Sequence, residues 1–138
     1  MKIDSIQNGI VLDHISSGRS MEIYHYLGLD KIDDSVAIIK NVKSGKRGKK
    51  DIIKIDGRYD VNFDIIGYVD PDITVSIIEN GKTTEKKKME LPQRIVNIVK
   101  CKNPRCITRE EPSIDHMFEL TDKENKVYRC VYCETVSE

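Results

Sequence analysis

The 138-residue chain has no tryptophan, and aromatic residues make up only 6% of it. Its core must therefore be mostly Ile, Val and Leu. No apolar run approaches the roughly 20 residues of a membrane-spanning helix. The opening Met1-Lys2-Ile3-Asp4 lacks the apolar stretch of a secretion signal. Excess charge of one sign is missing too, since 23 basic and 23 acidic residues cancel. Bulk attraction to nucleic acid or to an anionic membrane is not expected, so any anion site must come from local clustering. Neither common glycine-rich phosphate loop is present. The acidic residues are dispersed, and Ser16 and Ser17 beside His14 have no third partner for nucleophilic catalysis. These absences point to a cytoplasmic protein that is not itself an enzyme. Its 38% hydrophobic content is still too high for a disordered chain.

Cysteine is confined to the tail: Cys101, Cys106, Cys130 and Cys133, as C-x4-C and then C-x2-C. Disulfides are disfavoured in a reducing compartment. Two knuckles at short spacing are what a closed tetrahedral zinc shell needs, and four thiolates leave no open position for water or substrate. Two disulfides, four buried thiols or a redox Cys130/Cys133 pair are the competing readings. His116 is a poor fifth candidate.

The cysteines divide the chain into residues 1–93 and 94–138, with Leu91-Pro92-Gln93 at the joint. Each part is charge-balanced, with 15 residues of each sign in the first and 8 in the second. The tail is too short to hold much core, so a metal would contribute to its folding. Periodicity in the first part predicts a strand over 9–15 and a helix from 17 to about 27, with Met21, Tyr24 and Leu27 as its stripe. It further predicts strands over 35–42 and 51–56 separated by a turn over 43–50, a short helix over 60–69, and strands over 73–79 and 82–90 around an Asn80-Gly81 hairpin turn. The order β-α-β-β-α-β-β implies an α+β, ferredoxin-like antiparallel sheet with two helices on one face. The tail reads as a small all-β zinc ribbon with strands over 95–99, 117–120 and 127–130.

Two lysine clusters stand out. Lys43, Lys46, Arg47, Lys49, Lys50 and Lys54 surround the 43–50 turn, and Lys82, Lys86, Lys87 and Lys88 follow the Asn80-Gly81 turn. They are either solvated surface or convergent phosphate ligands. Asp13-His14 ends an apolar strand before a helix, where Asp can accept from ribose hydroxyls and His can donate to phosphate, or where His14 merely caps local backbone. Aromatics for stacking single strands are limited to Tyr59 and Phe63 nearby.

Four stretches together resemble one family. They are Ile6-Gln7-Asn8-Gly9-Ile10-Val11-Leu12-Asp13-His14-Ile15, Gly48-Lys49-Lys50-Asp51-Ile52-Ile53-Lys54-Ile55, Leu91-Pro92-Gln93-Arg94-Ile95, and the two cysteine pairs with Asn103 and Ile107. The sequence is similar, almost end to end, to the aspartate carbamoyltransferase regulatory chain. The resemblance implies a non-catalytic subunit of pyrimidine biosynthesis. Its N-terminal domain would bind CTP as inhibitor, with UTP, and ATP as activator, and would pair with a second regulatory chain. Its zinc domain would dock the catalytic chain. By position, Ser5 and Ile6 would contact the base, with Ile78 and Thr83 lining its pocket. Asp13 and Lys54 would hold the ribose, and His14, Lys50 and Lys86 would face phosphates. Asn103, Arg105 and Glu134 would meet the catalytic chain. Two departures are visible: Ser76 stands where the family usually has Asn, and Arg105 where relatives can have Asn. A nucleic-acid-associated zinc ribbon, or a free-standing nucleotide sensor with another partner, are the alternatives. Salt-dependent DNA binding or the absence of a co-purifying catalytic chain would reveal them.

Overall fold

The computed structural model describes residues 6–45, 48–57 and 60–137. Two compact units result, Met1–Glu90 and Leu91–Glu138. No described helix is long and apolar enough to cross a membrane.

The first unit is a five-stranded antiparallel sheet in the order β2-β3-β1-β4-β5. Its strands are β1 (Gly9–Ser16), β2 (Val36–Ser44), β3 (Gly48–Asp56), β4 (Thr74–Glu79) and β5 (Lys82–Lys88). Helices α1 (Ser20–Tyr26) and α2 (Phe63–Val69) cover one face. Alternation explains the packing: Ile10 and Leu12, Ile53 and Ile55, and Val75 point into the core, where Ile23, Leu27, Ile66 and Val69 from the helices meet them. The first four strands with the two helices form the expected ferredoxin-like arrangement, and β5 extends it.

The two sheet edges differ. Every residue of β5 is exposed, and four of its seven are lysines. Along β2, Val36, Ala37, Ile38 and Ile39 are half-buried.

Several boundaries depart from the sequence expectation. Pairing of Val42 with Lys50, Lys43 with Lys49 and Ser44 with Gly48 carries both strands into the predicted 43–50 turn. The ladder satisfies those backbone groups despite their lysine-rich sequence. Helix α1 starts at Ser20 rather than 17, and its buried residues are Ser20 and Ile23, followed by buried Leu27 at its C-cap, while Met21 faces outward. Helix α2 starts at Phe63 because Asn62 caps it, accepting from the Asp64 N–H. Asn80-Gly81 turns as expected, with φ of 52° and 78°.

The second unit is a three-stranded sheet, β6 (Arg94–Val96), β7 (Met117–Asp122) and β8 (Val127–Cys130), in that order. Ile95, Phe118 and Tyr128 form its buried centre. Pro92 and Gln93 join it: the Tyr128 hydroxyl donates to the Pro92 carbonyl at 2.6 Å, and the Leu120 N–H to that of Gln93 at 2.8 Å. Strand β6 stops at Val96, short of the expected 99, because Asn97 is left-handed (φ 56°) and bonds instead to Asp115 and His116. The unit also holds one helical turn that the all-β reading missed, α3 (Ile107–Glu110), started by Cys106.

Candidate functional sites

The metal-binding centre is built by two backbone turns. In the first, Asn103 accepts at its carbonyl from the Cys106 N–H (3.1 Å) and at its side chain from the Arg105 N–H (3.0 Å). In the second, the Cys130 carbonyl accepts from the Glu134 N–H at 2.9 Å, with Glu134 left-handed (φ 63°). These turns bring the Sγ atoms of Cys101, Cys106, Cys130 and Cys133 within 4.8 Å of one another. Cys101–Cys133 and Cys106–Cys130 are separated by 3.5 and 3.7 Å. A disulfide needs about 2.05 Å. Four sulfurs about 2.3 Å from a central tetrahedral ion would lie about 3.8 Å apart. The spacing fits a metal and not a disulfide.

Burial pushes the Cys101 thiol up to about 12 and raises Cys130 as well. At Cys133 burial also opposes ionisation, but the Thr135 hydroxyl and backbone N–H outweigh it and the thiol falls to about 6. Four thiolates this close need a cation among them. Hydroxyls support the set: Thr108 donates to Cys106 Sγ at 3.1 Å, and Thr135 lies 3.2 Å from Cys133 Sγ. The sequence reading missed both threonines, although a C-x-T spacing at Cys106 and at Cys133 marks them. His116 is no ligand. Its Nδ1 accepts from the Cys101 N–H at 3.0 Å.

The expected partner-facing residues lie on the same turns. Arg105 and Glu134 are exposed and Asn103 is half-buried. Two apolar side chains flank the cysteines in the open, Ile107 and Tyr132, which are 44% and 45% exposed; the sequence reading named Ile107 only as part of the resemblance and gave neither a partner-facing role.

In the first unit, the described strand residues anticipated for nucleotide binding lie on the sheet face away from the helices. Register aligns Lys54 with Val11, Val11 with Ser76, and Ser76 with Lys86. Three strand spacings separate the two lysine backbones by about 14 Å, a gap that two long side chains can close over Val11 and Ser76. Toward the start of β1, Gly9 pairs with Ile78 and Ile78 with Thr83. Ile6 sits against Gly9, where an added Cβ would lie 2.8 Å from Ile6 Cγ2. A cleft of about 350 Å³ opens at this end, lined by Asn8, Gly9, Ile10 and Ile78 among others. Among the described residues anticipated for the site, Ile78 alone lines it. Ser5, together with Lys46, Arg47 and Tyr59, lies outside the described residues.

At the other end of β1, the Lys50 ammonium meets Asp13 at 2.9 Å, and Asp13 accepts the His14 N–H at 2.6 Å. Burial works to raise the Asp13 carboxyl, but the Lys50 hydrogen bond, the His14 N–H and their charges hold it below the usual range. His14 is left-handed (φ 62°), and its Nδ1 is buried without a hydrogen-bond partner. Such a group retains an unmet capacity for a polar ligand. The face therefore runs from an apolar end (Ile6, Ile78) through a lysine row to a basic end (His14, Lys50).

Comparison with known proteins agrees with this architecture. Residues 1–90 match the family model described as the aspartate carbamoyltransferase regulatory chain, allosteric domain. Residues 93–138 match that of the same chain's metal binding domain. The chain is 50% identical over 136 residues to the "Aspartate carbamoyltransferase regulatory chain" of Clostridium botulinum strain Hall, covering 99% of this chain and 93% of that one. It is 49% identical over 137 residues to the protein of that name from Clostridium tetani, covering 99% and 95%. For the Bifidobacterium longum protein the identity is 43% over 134 residues, covering 97% and 96%. With an allosteric domain, a four-cysteine metal-binding domain and relatives matched nearly end to end, the chain belongs to the aspartate carbamoyltransferase regulatory chain family, the regulatory rather than the catalytic component of that enzyme.

Proposed function

We propose that this chain is a cytoplasmic regulatory subunit whose first domain, residues 1–93, binds CTP as inhibitor, together with UTP, and ATP as activator. Its second domain, residues 94–138, holds one structural zinc ion and docks the aspartate carbamoyltransferase catalytic chain. The observation that carries this reading is the graded sheet face. Ile6, Ile78 and Thr83 offer the base a berth, and Ser5, outside the described residues, is a further base contact. Asp13 and Lys54 reach the ribose, and His14, Lys50 and Lys86 meet the phosphates. The 2.9 Å Lys50–Asp13 pair fits this role, since it holds the ammonium next to both groups.

CTP and ATP share ribose and triphosphate, so both engage the same lysines. Opposite effects then require different relative affinities for two states of the assembly, read from the size of the base. A nucleotide bound equally to both states would shift nothing. Zinc, held by Cys101, Cys106, Cys130 and Cys133, fixes the surface that carries Asn103, Arg105 and Glu134. Ile107 and Tyr132 beside them supply apolar area for docking. A second regulatory chain pairs with this one, and the half-apolar β2 edge is suited to it.

The test is calorimetric titration of CTP, and then ATP, into the zinc-loaded chain and its Lys86→Ala variant. Competition of both for one site, weakened by the substitution, supports the reading. A folded, zinc-loaded chain that binds neither nucleotide refutes it. Reconstitution with a catalytic chain, before and after zinc removal, tests docking.

A further inference from the structure

Asp51 is fully buried in β3 at the one level where the ladders on both sides are broken. On one side, β1 slips register between Leu12 and Ile15; on the other, β2 slips between Ile39 and Val42. Each break contains a left-handed residue that is not glycine, His14 in β1 and Asn41 in β2, both with φ of 62°. Such conformations persist when their surroundings hold them. The Asp51 carboxylate holds the second of them directly and grips the chain just past the first. One oxygen accepts the Asn41 N–H at 3.1 Å. The other accepts the Gly18 N–H at 3.1 Å and the Ser20 N–H at 3.4 Å, where the chain leaves β1 and enters α1. On the opposite face the preceding residue, Lys50, reaches Asp13, which in turn takes the His14 N–H.

We infer that Asp51, which faces away from the nucleotide, is a positioning residue for the polyphosphate end of that site. Its carboxylate ties the β2 irregularity to the turn that follows the β1 irregularity, and so steadies the strand ends that carry His14 and Lys50 around Asp13. This rests on the nucleotide-binding reading above and adds a residue to it. Three converging N–H donors need a group that only accepts. An amide at this position would turn its own NH2 against one of them. The inference also works in reverse: if the tie favours phosphate binding, phosphate must stabilise the tie by the same factor.

The test uses the full zinc-loaded chain with three probes: CTP, cytidine and inorganic tripolyphosphate. CTP and tripolyphosphate should slow hydrogen exchange at the Gly18, Ser20 and Asn41 amides, and cytidine should not. Asp51→Asn should weaken CTP and tripolyphosphate about tenfold or more, the scale of lost hydrogen bonds to a charged group, and leave cytidine within about twofold. If the wild-type chain binds neither CTP nor tripolyphosphate, the nucleotide reading fails and this inference falls with it. If it binds CTP while the three amides exchange unchanged, or if Asp51→Asn weakens CTP and cytidine alike, only the Asp51 inference is overturned. Should the variant fail to fold, exchange in the wild-type chain decides.

Discussion

The hydroxyl of Thr108 offers a sharp test of how the metal centre is tuned. Thr108 lies two residues past Cys106 in the α3 turn, is 3% exposed, and donates to Cys106 Sγ at 3.1 Å. A donor aimed at a metal-bound thiolate disperses its charge and orients it. Thr108→Val keeps the volume, removes the donor and leaves the sulfur its metal bond. Loss of such an outer-shell partner typically lowers metal affinity about 10- to 100-fold, or about 1.4–2.8 kcal/mol. Thr108→Ser keeps the hydroxyl and loses only a methyl group, so it should recover most of that. The assay is competition for zinc between the full chain and a chromophoric chelator at fixed pH. A change of less than about threefold in Thr108→Val would refute the charge argument, given the 10-fold floor expected. A serine variant as weak as the valine variant would assign the effect to packing of the methyl group instead.

Chelation should unfold the second unit and spare the first, because Ile95, Phe118 and Tyr128 alone form a small buried centre; amides of residues 91–137 should lose exchange protection while those of the sheet over 9–88 keep it. Gly9→Ala should destabilise the first unit by about 1–3 kcal/mol, since the new Cβ would sit 2.1 Å from the Ile55 carbonyl oxygen. An unchanged urea midpoint would contradict that close approach. Asp51 has a folded pKa below its ordinary 3.8, because the Ser20 side chain and three N–H groups outweigh a burial effect that acts to raise it. The unfolded chain therefore takes up the proton first. The stabilisation is complete above the unfolded value and lost as pH falls through the folded one. Asp51→Asn should flatten the acid limb of stability against pH below about 4, read from urea midpoints, and an unaltered limb would count against the buried-carboxylate account.

What the sequence disclosed follows from how local each feature is. The Asn80-Gly81 turn is written in two residues that favour positive φ, and the cysteine spacing carries its own geometry. The ferredoxin-like order emerged because each strand and helix has its own period. The strand breaks at His14 and Asn41 stayed hidden. Asn41 is held by Asp51, whose bonds run to residues 33, 31 and 10 positions away, and the His14 N–H by Asp13, itself paired with Lys50; nothing in a hydrophobic pattern records such bonds. Met21 was misplaced for a related reason: Met21-Tyr24-Leu27 is a plausible stripe on paper, but packing against the sheet selected Ser20-Ile23-Leu27. Among the candidate ligands, the lysines were visible as a cluster. Composition alone does not separate Lys54 and Lys86 from their neighbours; the resemblance singled them out, and cross-strand register puts them in one row with Val11 and Ser76, whereas Lys87 lies over the Phe63 ring.

The unequal edges of the five-stranded sheet bear on how far this molecule can assemble. A lysine fringe on β5 repels an incoming strand, whereas β2 carries no such guard over Val36–Ile39. A sheet with two receptive margins can add copies without limit, head to tail, and grow into a fibre. One receptive margin allows a single two-fold pairing that uses up the only available surface. In the pairing through β2 proposed above, the charge on β5 would oppose a second strand-to-strand contact, and replacing those lysines with threonine or valine is expected to increase aggregation, read by light scattering.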